Sequence, residues 1–411
     1  MAFVSGIHTT EGLRHRNRAL VLTSLRALGP ASHTQIAEHC GLASSTITVI
    51  TAEFLAEGVI EKIQQPAPSG RGRPRVSLAL KGGFGYFAFV RISSGEVEFS
   101  LMDYRRVLID RRKLLRDPAQ KSARDFGVIV RDFLTSFIAR TELTPADIKT
   151  IFVTSKGVVD PDNPVLIWSP VFEGEPLDFA RLFRADWPAN VHVVSETSLT
   201  AHQMLQRNEA AVAGTRHAVL SLGDSIGLGV ARLRRDGETA MYAPSFGHLT
   251  HDPNGPLCRC GAKGCLETFA GFYGILRTAF DAPRDVIPAK FIPLDEMRKI
   301  AGIARSGDRM ADFAFRQAGQ ALGLSIARMF SLLGPMPVTI TGPGIEFYDL
   351  LVDDLQSQIS QNLQVRLSKA PPIDFVSDER ALVFESAADV AFARFDREHV
   401  AVRRVGHDQG T

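Results

Sequence analysis

Three of the chain's four cysteines, Cys258, Cys260 and Cys265, lie within eight positions of one another in a loop that also carries His248, a spacing of H-x9-C-x-C-x4-C. A disulfide framework scatters its cysteines along the chain, whereas bunching of this kind points to a metal site. Three thiolates and one imidazole complete a closed tetrahedral shell for zinc, a composition typical of structural rather than catalytic centres. Gly261 and Gly264 permit the tight turns that let ligands so near in sequence converge. His251 is a rival to His248, and spacing alone does not choose between them.

The chain around this loop has 411 residues, enough for two or three domains whose cores need no disulfides. At 45% hydrophobic and 22% charged residues, it is neither a disordered nor a fibrous sequence. No apolar run approaches the ~18 residues of a membrane span. The first residues, MAFVSGIHTT, lack the charged-then-apolar pattern of a secretory leader, so a cytoplasmic protein with no membrane partner is expected. Net charge is only +2, but the first 80 residues carry +3 and the remainder −1. This distribution suits an anion-binding module attached to a neutral body.

The N-terminal pattern specifies that module. Apolar residues at helical spacing run from Asn17 to Leu28 and stop at Gly29-Pro30. A second helix, HTQIAEHC, has Ser32 or Thr34 available as its cap, and Gly41 closes it. A third, TITVITAEFLAEG, is capped by Ser44 or Ser45, with Ile47, Ile50, Phe54 and Leu55 turned inward. Two strands then flank the tip Gly70-Arg71-Gly72-Arg73-Pro74-Arg75, which makes a winged helix-turn-helix. The outward face of the third helix carries Ser44, Ser45, Thr46, Thr48 and Thr51 but no Arg or Lys, so bidentate guanine readout is not expected from it. Arg71, Arg73 and Arg75 suit a narrow, A·T-rich minor groove. Arg14, Arg16 and Arg18 are expected at phosphates, and Cys40 is read as a small core residue.

A winged helix-turn-helix ending in GRGRP, followed by GH…CxCGxxGCxE, resembles the ROK family of repressors, open reading frames and kinases. The resemblance implies α/β architecture: a two-lobed, actin-like sugar-kinase fold with a structural zinc loop, behind the DNA module. The strand-like segments GYFAFVRI, TIFVTSKG, HVVSE, AVLSLG and PVTITG agree with that class. The expected domains are 1–81 for DNA binding, 82–194 plus 381–411 for the first lobe, and 195–380 for the second lobe with its zinc loop. By the family pattern, the helix from Ala381 to Phe395 returns to the first lobe.

Members of the family with a DNA module are sugar-responsive regulators, and those without one are mostly sugar kinases. The kinase parts are damaged here. Where the family's first phosphate loop reads D-x-G-G-T, this chain has Arg91-Ile92-Ser93-Ser94-Gly95. The second loop survives partly as Gly223-Asp224-Ser225-Ile226-Gly227, and the adenosine-side glycines as Thr341-Gly342-Pro343-Gly344. The family's E-N-D-x-N, whose Asp is the general base, reads Glu196-Thr197-Ser198-Leu199-Thr200. A serine hydroxyl is not ionised near neutral pH and cannot replace that base alone. The family's sugar contacts correspond to Thr197, Ser198, Ser245, His248 and Glu267, and Glu267 reads equally as a partner of the zinc loop. The expected function is therefore a transcriptional regulator, a repressor of carbohydrate-related genes with no catalysis. It would act as a homodimer or homotetramer on a pseudo-palindromic, A·T-rich double-stranded operator, with a sugar or sugar derivative as effector. The alternative is an active ATP-dependent sugar kinase with an appended DNA module.

Overall fold

In the computed structural model, which describes residues 10–65, 75–117, 122–172, 175–287, 291–368 and 370–401, the N-terminal segment folds as α1 (Thr10–Leu28), α2 (His33–Cys40) and α3 (Ser44–Ala56). The antiparallel pair β1 (Ile60–Gln65) and β2 (Arg75–Leu80) follows. The first helix starts seven residues earlier than its apolar pattern suggests. Ser32 caps α2 in a reciprocal capping box with Gln35, and Gly41 ends that helix in the left-handed region at φ 65°. Helix α3 departs from expectation: its cap is Ala43, so neither Ser44 nor Ser45 caps it. Thr51 is buried rather than outward, because its hydroxyl bonds back to the Ile47 carbonyl and meets His33. Cys40 is half-buried, its thiol turned to the Ile36 carbonyl.

Arg14 and Arg18 do not reach outward to phosphates. Arg18 is 1% exposed, pairs with Glu53 and Glu57 at 2.6 Å each, and lies over the Phe54 ring. Arg14 also pairs with Glu53. Both tie α1 to α3, and Arg16 alone of the three is exposed.

Strands β3 (Tyr86–Ile92), β4 (Glu96–Asp103) and β5 (Leu108–Leu115) form an antiparallel meander. Helix α4 (Ala123–Ile138) leads to β6 (Ile148–Ser155), parallel to β3. A small sheet of β7 (Val158–Val159), β8 (Val165–Trp168) and β9 (Leu177–Asp178) precedes α5 (Phe179–Phe183) and β10 (Asn190–Ser195). The first sheet runs β10-β6-β3-β4-β5. Helix α6 (Glu196–Gln206) then leads to β11 (Arg216–Ser221), β12 (Gly227–Leu233) and β13 (Thr239–Tyr242). The helices α7 (Glu267–Ala270), α8 (Phe272–Ala279), α9 (Leu294–Arg305) and α10 (Arg309–Leu333) lie between these strands and β14 (Val338–Thr341). Helices α11 (Val352–Ser360) and α12 (Leu363–Leu367) precede β15 (Ile373–Val376), giving a second sheet β13-β12-β11-β14-β15. Parallel strands joined through helices beside antiparallel hairpins make the body α/β, and each of the five strand-like segments picked out above forms a strand. Among the described residues no helix is long and apolar enough to cross a membrane.

The last helix, α13 (Glu379–Phe395), lies on the first sheet, with Phe392 against Phe87 at 4.1 Å between ring centres and Phe395 edge-on to it. It continues into a wide π-helical turn, Asp396–Val400. One apolar cluster joins Val21, Leu22 and Leu25 of α1 to Phe87 and Tyr104 of the body and to Phe392, Phe395 and Val400. Arg26 of α1 closes that junction. It grips Asp396 with two bonds of 3.0 Å, donates to the Tyr104 carbonyl, and lies over the Tyr104 and Phe392 rings.

Truncating one partner of a buried pair strands the other without solvent, at a cost of about 3–5 kcal/mol. Arg18→Ala should cost less, about 1–3 kcal/mol, because Glu53 keeps Arg14 and Glu57 stays partly in water, and a urea-melt change below about 0.5 kcal/mol would contradict the packing. His192 on β10 has its pKa lowered to about 4, first by burial and then by Arg394 and His399. The unfolded chain thus binds a proton at this site below about pH 6.5 while the native chain refuses it until about 4. Stability should fall as pH drops through that window, and His192→Gln should flatten the fall in acid-titrated melts.

Candidate ligand cleft and metal loop

A cleft opens where the carboxyl ends of β6 and β10 face the turn between β11 and β12. It is lined by Lys156, Trp168, Ser195, Thr197, Ser245 and Glu267, among others, and its solvent-accessible room is about 50 Å³. At some 10–15 Å³ per water this admits about three to five waters. Helix α6 starts where β10 ends, which places Thr197 on the cleft wall with its hydroxyl donating to the Leu228 carbonyl at 3.2 Å. Gly229 makes this possible, since a Cβ there would run into the Thr197 carbonyl. Ser198 is buried and does not line the cavity; its hydroxyl donates to the Ser195 carbonyl at 2.8 Å. Ser245 and His248 reach the cleft from the loop after β13.

Beside the cleft four charged side chains form two ion pairs, and of the four Lys156 alone lines it. Arg91, at the end of β3, pairs with Glu196 through Nε–Oε1 at 2.9 Å and Nη2–Oε2 at 3.1 Å. The Lys156 ammonium lies 3.2 Å from Glu379 Oε2 and donates to Ser221 Oγ at 3.2 Å. Burial works against ionisation of Glu379, yet Lys156 and the Ser221 hydroxyl hold its carboxyl below the ordinary range. Burial likewise opposes the charge on Lys156, and Glu379 restores it. In the loop 223–227, Asp224 turns away from the cleft and accepts the Ile292 N–H at 2.8 Å. Lys156, Trp168 and the Arg91–Glu196 pair were not among the residues expected here. The alternation of strand residues does not say which strand ends meet.

His248, Cys258, Cys260 and Cys265 converge, all four ligand atoms lying within 4.8 Å of one another. Two isolated bridges, Thr250 to Cys265 and Leu257 to Lys263, fold the loop back on itself. Gly264 sits at φ 70°, against the Asp252 carbonyl, where a side chain has neither the backbone conformation nor the space. His251 stands outside the group, its ring on Phe269 at 4.7 Å. This arrangement could hold a metal ion, and the surroundings fit one. Arg277 is 3% exposed, its Nε and Nη1 have no hydrogen-bond partner, and no carboxylate among the described residues pairs with it. Arg277 and Arg259 both face the Tyr273 ring, whose hydroxyl reaches Cys258 Sγ at 3.5 Å. Three thiolates around a divalent cation carry a net −1, which answers the uncompensated guanidinium; three neutral thiols do not.

Glu267 belongs to both places. It stands on the cleft wall, but Oε1 accepts Arg259 at 2.8 Å and Oε2 accepts the Ile226 N–H at 3.2 Å. On the DNA module, Ser44, Ser45 and Thr48 are exposed along α3 and Thr46 is half-buried. Arg71 and Arg73 lie outside the described residues, and Arg75 opens β2 opposite Gln65.

Comparison with known proteins follows this geometry. A family model described as "ROK family" matches residues 90–381. The DNA-binding transcriptional dual regulator NagC of Escherichia coli (strain K12) is 24% identical over 386 residues, covering 92% of this chain and 93% of its own. A crystal structure of a ROK family transcriptional regulator, homolog of the E. coli MLC protein, superposes with TM-score 0.68 at 19% identity, covering 94% of this chain and 99% of its own. A ROK family glucokinase from Streptomyces griseus, in complex with glucose and AMPPNP, superposes with TM-score 0.53 at 19% identity over 74% of this chain and 99% of its own. At these identities the structural likenesses establish the fold, a kinase-like body preceded by a further module.

If the loop holds a metal, the purified chain should carry about one equivalent of a thiophilic divalent ion by elemental analysis. Cys260→Ser should then lose that ion and melt at lower temperature. An unchanged metal content would contradict the assignment.

Proposed function

The chain belongs to the ROK family, and on that premise we propose that it is a DNA-binding transcriptional repressor of carbohydrate-related genes, with a kinase-like body that no longer transfers phosphate. The observation that carries this reading is that the carboxylate nearest the general-base position is paired with a cation of the chain itself. Ser198 stands at the general-base position, and the neighbouring carboxylate, Glu196, is already committed to Arg91. Absence of such a base costs about 10²–10⁴ in rate, or ~3–5 kcal/mol of barrier. A guanidinium also stands where the family places an acid beside the magnesium.

In this reading, residues 1–81 are the DNA module, 82–194 with 381–411 the first lobe, and 195–380 the second. Ser44, Ser45, Thr46 and Thr48 face the major groove, and Arg71, Arg73 and Arg75 enter an A·T-rich minor groove. Successive major grooves lie ~34–36 Å apart, so a homodimer or homotetramer would present two modules to a pseudo-palindromic operator. A sugar or sugar derivative in the cleft, against Thr197, Ser245 and the wall formed by His248 and Glu267, would shift operator affinity by preferring one lobe arrangement. His248, Cys258, Cys260 and Cys265 would hold zinc, which supplies a cross-link with no open coordination position. The protein would work in the cytoplasm.

Genome-wide recovery of DNA bound to the full chain tests this directly. Enriched fragments should share a two-fold-related A·T-rich sequence and lie beside carbohydrate genes. The double substitution Arg71→Ala, Arg73→Ala should weaken binding to a recovered fragment tenfold or more, since each lost groove contact is worth roughly 1–3 kcal/mol. Steady production of sugar phosphate from ATP and a panel of hexoses and amino sugars would overturn the reading.

A further inference from the structure

Helix α13 has its two ends in different functional regions, each held by a buried ion pair. At the start, Glu379 meets Lys156, which lines the cleft and also donates to Ser221 on the second sheet. Along its length the helix lies against α6, where His202 of α6 meets the fully buried Ser386 at 3.0 Å. Helix α6 itself begins with Glu196 and Thr197 at the cleft. Just past the far end, Asp396 takes the bidentate grip of Arg26 and a 2.6 Å bond from the Tyr104 hydroxyl. Four residues on, the Val400 carbonyl accepts Arg18 at 2.9 Å. Both arginines belong to α1, the first helix of the DNA module.

From these contacts we infer that α13 couples the cleft to the DNA module, with Glu379 and Asp396 as the positioning residues at its two ends. The 17 residues Glu379–Phe395 span about 25 Å at 1.5 Å per residue. They include no glycine or proline, the usual causes of a kink. A closely packed helix of this kind moves as a body. The π-helical turn Asp396–Val400 lies just beyond it, where the change of direction toward α1 is made. A cleft occupant that re-aims Lys156 acts on Glu379, and the displacement arrives at the Arg26–Asp396 pair. The coupling explains why the last helix has a buried acid at one end and a buried acid just past the other, with the lobe's aromatic core between them.

This inference rests on the reading of the chain as a ligand-responsive regulator, but its test needs neither DNA nor ligand, so the two can fail separately. Hydrogen–deuterium exchange would be measured on the full chain and on Glu379→Gln and Lys156→Met. Amides of residues 20–28 in α1 should lose protection by about fivefold or more, the lower end of allosteric couplings, while those of α10 stay unchanged. Because coupling is reciprocal, Asp396→Asn should loosen residues 196–200 of α6. Glu385→Gln breaks the outward pair of α13 with Arg207 and should leave α1 untouched. The proposal is overturned if Glu379→Gln and Lys156→Met disturb only the first turn of α13, if α1 and α10 lose protection alike, or if Glu385→Gln moves α1 as much.

Discussion

A charge withdrawn from water must be matched, and in this chain the matching is internal. Arg18 answers Glu53 and Glu57, Arg26 answers Asp396, Arg91 answers Glu196, Lys156 answers Glu379, and Arg259 answers Glu267. A buried pair adds little net stability over a well-packed apolar one, but breaking it leaves an uncompensated charge. The pairs therefore act as constraints on geometry more than as sources of stability. Two fasten the N-terminal helices, to one another and to the body; two lie beside the cleft; one joins the cleft wall to the cysteine loop.

The same constraint bears on the proposed loss of phosphoryl transfer. A phosphoryl-transfer site needs a carboxylate free to accept a proton and an open place for magnesium and phosphates. Here Glu196 and Glu379 face cations of the chain itself. Glu267 is similarly committed, with one oxygen on Arg259 and the other on the Ile226 N–H. Besides Lys156, His248 and Glu267, the polar and aromatic side chains that line the cleft include Ser195, Thr197, Ser245 and Trp168.

The metal loop is balanced by charge in the same way. Arg277 has neither a carboxylate among the described residues nor partners for two of its nitrogens, and it lies beside the tyrosine that bonds Cys258. An anionic metal-thiolate centre makes sense of a guanidinium buried there. The loop that could hold a metal borders the cleft, with the Trp168 ring edge-on to His248 at 4.9 Å, so the two share a wall.

Much of this was legible in the residues alone. The H-x9-C-x-C-x4-C spacing is local, and local geometry brought His248 and the three cysteines together. The helix punctuation Gly29-Pro30 and Gly41, the capping box at Ser32 and the five strand segments also follow from neighbouring residues, where propensity and periodicity act. The destinations of long side chains were not legible. Arg14 and Arg18 read as phosphate contacts, yet Glu53 on α3, Glu57 just past its end and the Val400 carbonyl claim them. The roles of Lys156, Trp168 and Arg259, and the choice of His248 over His251, depended on which strand ends and loops meet. Most secondary elements and the convergence of His248 with the three cysteines follow from residues within one or two turns of one another. Only the tertiary structure decided which charges neutralise one another and that α13 joins the cleft to α1. Those pairings span tens to hundreds of positions, and burial, which no local pattern encodes, is what makes them obligatory.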